Sequence, residues 1–196
     1  MKSTRTYTMA SRAESAAATR ERIARAAAEL FLERAFEDVT LAGIAAAAGV
    51  SHQTVLNHFE SKAGVVPAVA EILREDTTSA RYAAEPGDVA GAVKALVGDY
   101  ERMGDANFRW AASSERLGLD AVLDEARASH QQWIVAMFAT RLPAATAARR
   151  RAVHALHAAT DVYTWKLLRR DLHLGRTETE RIIVDLVVGI LEGNSQ

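Results

Sequence analysis

Cysteine is absent from the chain, which removes disulfides, thiolate nucleophiles and cysteine-ligated zinc from consideration. Proline is scarce, with three in 196 residues, and alternating β-branched runs are few. These shortages speak against a turn-rich β architecture and leave an all-α fold. No apolar run approaches the ~18 residues that a membrane span needs, and the polar N-terminus has no apolar signal core, so a cytoplasmic protein with no membrane partner is expected. An excess of one charge is lacking too. The formal net charge is −1, so the chain as a whole has no general attraction for nucleic acid. Its basic residues are nevertheless uneven: residues 1–25 hold Lys2, Arg5, Arg12, Arg20, Arg22 and Arg25 against Glu14 and Glu21. Such an end suits either a localised anionic partner or a solvated arm. There is no nucleophile elbow, phosphate loop or placed pair of acids, so neither an enzyme nor a cofactor is expected. His154, His157 and Asp161 stand at i, i+3 and i+7, a spacing that suits metal ligands on one helix. Without cysteine or a second cluster they read as pocket or surface residues, and no metal is expected.

What is present is helix, with 49% hydrophobic residues to build a core. The most informative stretch runs from Thr40 to Lys62. Thr40 suits a helix N-cap, and Leu41, Ile44, Ala45 and Ala48 follow at i, i+3, i+4 and i+7, one apolar stripe on a short helix. Gly49 supplies the left-handed turn that ends it. Ser51 then caps a second helix, with Val50 and Val55 placed as a hydrophobic staple. Val55 and Phe59 form the buried side of that helix, and His52, Gln53, Leu56 and Asn57 are left facing outward near its start. The pattern is a helix-turn-helix whose second helix presents hydrogen-bonding side chains.

Around it, residues 1–18 read as a flexible basic arm. Thr19 caps a first helix with Ile23, Ala27, Leu30 and Phe31 on one stripe, ending near Arg34. Phe36 and Val39 then join the core of a three-helix module over residues 19–65. A longer helix follows from Ala63 to about Tyr82, with Pro67 in its first turns. Beyond Glu85–Gly87 the spacing predicts helices near 88–102, 106–117, 120–142, 144–170 and 178–191, broken at Gly104, Gly118, Pro143 and Gly175. Residues 66–196 thus form a helical bundle. Thr177 and Glu180 have capping-box spacing at the start of the last helix. Apolar side chains cover almost the whole circumference of that helix, which requires cover on all sides. A homodimer interface through Ile182, Ile183, Leu186, Val187 and Ile190 is expected.

The run from Ala27 to Phe31, then Phe36, Thr40, Ile44-Ala45, Ala48-Gly49-Val50-Ser51, Thr54, His58-Phe59 and Ser61-Lys62, resembles the TetR family of bacterial one-component transcriptional regulators. The resemblance is strongest over residues 19–65; the length and the all-helical remainder ending in two apolar interface helices also look like the family but carry no shared motif. It implies that Thr40 and Lys62 contact backbone phosphates, that Thr54 and His58 lie at the DNA surface, and that His52, Gln53 and Asn57 read bases. Three departures stand out. Leu56 occupies a position where the family often has a phosphate-binding tyrosine, Ala42 one where a basic residue is frequent, and Ala46 and Ala47 positions that are usually polar. Leu56 suits contact with a thymine methyl, and the arm of Arg5, Arg12 and Arg20 would supply the missing phosphate contacts.

The resemblance also implies a small-molecule effector bound in the C-terminal bundle. His130, Trp133 and Met137 share one helix face, His154, Asp161 and Trp165 another, and Trp110 comes from the preceding helix. These seven are the candidate ligand-binding residues, with plain core packing as the competing reading. The expected function is a ligand-responsive repressor that binds a pseudo-palindromic double-stranded operator as a homodimer and is released by its effector. The alternative is a dimeric ligand- or protein-binding bundle whose specific DNA binding is weak or lost.

Overall fold

The computed structural model describes the backbone of residues 4–117 and 120–193 and the side chains of residues 12–112 and 120–193. Arg5 and Gly118 therefore lie outside the side chains described. Among the described residues every regular element is helical: α1 (Thr4–Glu33), α2 (Leu41–Ala48), α3 (His52–Phe59), α4 (Lys62–Arg81), α5 (Val89–Leu117), α6 (Asp120–Phe138), α7 (Thr146–Thr160), α8 (Val162–Lys166) and α9 (Arg176–Gly193). None of these is long and apolar enough to cross a membrane. The chain divides into two compact units, Met1–Arg74 and Glu75–Gln196, and the division falls inside α4.

The first unit is built on α1. Residues 4–18, expected as a flexible arm, belong to this helix instead. No proline or glycine occurs before Gly43, so nothing in the covalent chain stops an alanine-rich helix from extending backwards. Ile23, Ala27, Phe31, Val39, Ile44, Val55 and Phe59 are buried together as the small core. Phe36 is half-buried and stacks on Phe31 with ring centroids 5.4 Å apart.

In the second unit α5 packs against α6, α8 and α9, and α7 against α6 and α9. Their shared core includes Leu96, Trp133, Phe138, Leu156, Trp165 and Ile183. Asp88 caps α5 by accepting from the Gly91 amide at 2.9 Å. Gly104, expected as a break, lies inside a continuous α5. The glycine serves packing: a Cβ there would fall 2.4 Å from the Trp165 ring. The stretch expected as one helix over 144–170 breaks at Asp161, whose backbone is extended and whose carboxylate caps α8 by accepting from the Tyr163 amide. After α8 the chain widens into a π turn over Leu167–Asp171. The final helix starts at Arg176, immediately after Gly175, so Thr177 is not its cap. Glu180 pairs with Arg176 at 2.8 Å instead of closing a capping box.

Candidate nucleic-acid interface

The helix-turn-helix is set by local backbone chemistry. Thr40 Oγ1 accepts from the Gly43 amide at 3.0 Å and closes the first turn of α2. At the other end Gly49 is left-handed, at φ 64° and ψ 38°. The Val50 amide reaches back to the Ala45 carbonyl and the Gly49 amide to that of Ala46, the crossed pair of bonds that ends a helix at a left-handed residue. Ser51 Oγ accepts from the Thr54 amide at 3.0 Å and lies 2.8 Å from the Thr54 hydroxyl, so Ser51 caps the N-terminus of α3.

Two arginines on α1 hold the two helices from behind. Arg22 Nε donates to the Ala48 carbonyl at the end of α2. Arg20 donates to the His58 carbonyl at the end of α3 and lies over the Phe59 ring, 4.1 Å from its centroid. Each guanidinium thus satisfies a carbonyl that the helix itself leaves unpaired, at the negative end of the helix dipole. Arg20, expected in the DNA-binding arm, is held inside the module by these bonds.

Lys62 is placed differently from its expected role. Its ammonium donates to the carbonyls of Phe36 at 2.7 Å, Val39 at 2.8 Å and Glu37 at 3.4 Å, and it lies 4.3 Å from the centre of the Phe36 ring. All three protons of the group have acceptors within the chain. Lys62 clamps the start of α4 to the loop before α2. A phosphate contact would have to replace or share those bonds. The same corner depends on Ser61 and on Gly64, a residue outside the expected site. Ser61 Oγ accepts from the Gly64 amide at 3.0 Å. A Cβ on Gly64 would sit 2.1 Å from the Phe59 carbonyl oxygen, so only glycine permits this approach of α4 to the end of α3. The signal was present in the Ser-Lys-Ala-Gly run, a hydroxyl residue followed three positions later by a glycine. Between α3 and α4, Glu60 takes the strained turn at φ 61° and ψ −38°.

The outward face of α3 is formed by His52, Gln53 and Asn57, which are exposed, with Thr54, Leu56 and His58 half-buried at its edges. Gln53 Nε2 donates to Asn57 Oδ1 at 3.0 Å. Thr40 is exposed at the start of α2, and Ala42, Ala46 and Ala47 leave the outward side of α2 without hydrogen-bonding side chains.

The expected ligand residues scatter. His130, Trp133, Met137 and Trp165 are buried, and they fill their space with one another and with their neighbours. The Trp133 indole stacks on His130 and donates to the Arg81 carbonyl at 3.2 Å. Trp165 donates to Glu101 at 3.1 Å and lies beneath Arg170. Trp110 is also buried. His154 faces solvent and leaves the group. Asp161 is engaged in capping α8, and it also meets His157 at 3.3 Å. Burial alone would raise its carboxyl, but the hydrogen bonds from His157 and the Tyr163 amide hold it below the usual carboxylate value. A concavity of about 510 Å³, open to solvent, is lined by Ala128, Gln131, Gln132, Val135, Ala136 and Val153, none of them an expected ligand residue.

What joins these elements is a buried polar chain. Arg81 pairs with Asp99 at 2.9 Å and meets His130 Nδ1 at 3.0 Å. An arginine can only donate, so Nδ1 is the acceptor and Nε2 carries the ring proton. Nε2 then donates to Thr160 Oγ1 at 2.9 Å, and the Thr160 hydroxyl donates to the Leu156 carbonyl at 2.7 Å. Tyr100 completes the set by donating to the Thr160 carbonyl at 3.0 Å. Burial first, and the charge of Arg81 second, push the His130 pKa down to about 3, so the ring is neutral. Burial likewise raises Tyr100 to about 12.

The expected dimer residues separate into two sets. Ile183 and Val187 are fully buried in the core of their own unit and are removed from any interface. Each such side chain already contributes about 1.5–3 kcal/mol to its own fold. Leu186 is 44% exposed, and Ile182 and Ile190 are half-buried on the outer side of α9, beside the exposed Gly189.

Residues 23–69 match the family model described as "Bacterial regulatory proteins, tetR family". Among solved structures, a tetR-family transcriptional regulator from Streptomyces coelicolor superposes with a TM-score of 0.72 at 20% identity, covering 90% of this chain and 82% of that one. At that identity the likeness speaks for the fold. NalD from Pseudomonas aeruginosa, the secondary repressor of the MexAB-OprM multidrug efflux pump, matches at 26% identity with a TM-score of 0.54, covering 90% of this chain and 97% of that one. A second structure of native NalD matches at 25% identity and a TM-score of 0.51, with 89% and 97% covered. Comparison with curated proteins produced no match.

Proposed function

We propose, from the premise that this chain is a TetR-family transcriptional regulator, that it is a ligand-responsive repressor acting as a homodimer on a pseudo-palindromic operator. The observation that carries this reading is the outward face of α3. Its capped N-terminus and its exposed amides, Gln53 and Asn57, have the form of a helix that enters a major groove and reads base edges. Thr40 at the start of α2 and Thr54 at the edge of α3 supply hydroxyls for phosphates. The outer stripe of α9, Ile182, Leu186 and Ile190, supports a twofold interface, because an exposed leucine flanked by isoleucines is a surface that association covers. NalD is described as a repressor, which supports repression as the sign of the response.

The effector is a small molecule taken up by the C-terminal bundle. Arg81, Asp99, His130 and Thr160 are buried there and bond to one another, whereas the open concavity beside Gln131, Gln132, Val135, Ala136 and Val153 offers apolar walls and two amides, as a mostly apolar site requires. Release follows if the effector binds better to the conformation in which the two α3 helices no longer match major grooves about 34 Å apart.

A gel shift on DNA flanking the gene, repeated at several salt concentrations, tests the reading. The repressor requires sequence-specific binding whose log affinity falls by about 0.9 per log unit of salt for each phosphate contact. Binding that is absent or indifferent to sequence would favour the rival, a dimeric ligand- or protein-binding bundle. The internal engagement of Arg20 and Lys62 is what keeps that rival in view. Sedimentation of Leu186→Arg addresses the dimer separately, with a shift to monomer expected.

A further inference from the structure

We propose that Gln53 and Asn57 read DNA as one coupled unit, not as two independent side chains, an inference that rests on the reading of α3 as the recognition helix. Val55 and Phe59 mark the buried side of α3. At about 100° per residue, Asn57 lies opposite that side and Gln53 about 40° from Asn57, whereas Leu56 and His58 lie only about 80° from the buried direction. The exposures agree: Gln53 and Asn57 are exposed, Leu56 and His58 half-buried. The two amides therefore occupy the centre of the outward face, one helical turn apart.

Their mutual bond decides what they offer. Gln53 Nε2 donates to Asn57 Oδ1 at 3.0 Å, which occupies one donor of the glutamine and one lone pair of the asparagine. Gln53 keeps Oε1 and one Nε2 proton, and Asn57 keeps both Nδ2 protons and one Oδ1 lone pair, so the wholly free groups are the acceptor Oε1 and the donor Nδ2. The unit thus presents an acceptor and a donor in fixed order along the helix. An acceptor selects a base with an exocyclic amino group, adenine N6 or cytosine N4. A donor selects a neighbouring base with an acceptor, guanine O6 or N7, adenine N7 or thymine O4, and so excludes cytosine. The ligand is a two-base step of that chemistry. The Ser51–Thr54 hydroxyl pair and the Ser51 cap hold the helix start, so the amide pair is oriented before DNA arrives.

The experiment selects binding sites from randomised duplex DNA with the full-length wild type and with Gln53→Ala, Asn57→Ala, the double variant and Asn57→Asp. The side chains are exposed, and a thermal melt of each variant verifies folding. Each alanine variant is expected to lose discrimination, by about tenfold, at the same two adjacent positions. The double variant is expected to be no worse than the poorer single one. Asn57→Asp keeps the acceptor that Gln53 uses but loses the free donor, so preference at the second position should move to an amino-bearing base. Losses that multiply in the double variant, or that fall on separate positions one per residue, would overturn the coupling while leaving α3 as a DNA reader. A wild type that selects no consensus overturns the DNA reading itself, and the pair with it.

Discussion

Pairs within one helix aside, such as Arg25–Glu21 and Arg74–Glu71, the two units differ in what their bridging cations mainly engage. In the N-terminal unit Arg20, Arg22 and Lys62 donate to backbone carbonyls at helix ends and loops. In the C-terminal unit Arg81, Arg102, Arg169 and Arg170 go to carboxylates, those of Asp99, Glu101 and Asp105. A carbonyl satisfies the hydrogen bonds of a cation without cancelling its charge. A carboxylate does both. The first arrangement ties helices together while leaving positive charge on the module, which suits a polyanion arriving from outside. The second neutralises its charges in place and suits a bundle with a buried core.

The largest effect should come from breaking the second arrangement at its most buried point. Asp99 has no exposed side-chain surface, and Arg81 retains 10%. Asp99→Ala would leave a buried guanidinium unpaired, at an expected cost of about 3–5 kcal/mol in urea unfolding. Removing Arg81 as well should cost less than the two single losses added together, because the unpaired charge disappears.

The same chain of bonds sets a dependence on pH. His130 is neutral in the fold, with a pKa of about 3 against an ordinary 6.5. The unfolded chain therefore binds a proton below pH 6.5 that the folded chain refuses. Stability from this group is complete above pH 6.5 and lost as pH falls toward 3, by up to about 1.4 kcal/mol per pH unit. Between pH 6.5 and 5 this loss precedes the carboxylates. Unfolding of wild type and His130→Gln across that window should give a shallower slope for the variant, and equal slopes would mean that His130 charges freely in the fold.

These particulars show which features were legible in the sequence. Thr40, Gly49 and Ser51 specify geometry through their own backbone neighbours, so the helix-turn-helix could be read residue by residue. Asp161 and Gly104 could not: the first breaks a helix that periodicity would continue, and the second leaves room for a ring 61 positions later in the chain. Asp99 left a trace, since Ala92, Leu96, Asp99, Met103 and Ala106 follow one helical stripe, and an acid in such a stripe requires a buried partner. Its partner was unreadable, because Arg81 looks like any surface arginine at a helix end. Lys62 shows the other side: a family motif implies a phosphate contact, and nothing in the sequence signals that three carbonyls sit within reach of its ammonium.

Lys62 is also where the carbonyl arrangement can be broken. Lys62→Met keeps the apolar stem and removes the three donors, leaving the Val39 carbonyl without this partner and the Phe36 carbonyl with only the Val39 amide, at an expected cost of about 1–3 kcal/mol. DNA binding by the same variant separates clamp from phosphate contact. A clamp leaves the salt slope of the folded protein unchanged, whereas loss of a phosphate contact lowers it by about 0.9. A lowered slope with unchanged stability would return Lys62 to the DNA surface.

The smallest effect sharpens the comparison from the side of the backbone. If the N-terminal unit is ordered by helix-end geometry, relieving strain at a helix end should stabilise it without any new side-chain contact. Glu60 is exposed, and its φ of 61° at the end of α3 is a conformation that a side chain disfavours. Glycine has no Cβ to strain, although it adds freedom to the unfolded chain, so the two effects partly cancel. Glu60→Gly is expected to raise stability by about 0.5–1 kcal/mol in urea unfolding, with binding to the selected DNA site altered only by the loss of one negative charge. A loss of stability would mean that the Glu60 side chain does more for this corner than its strained backbone costs.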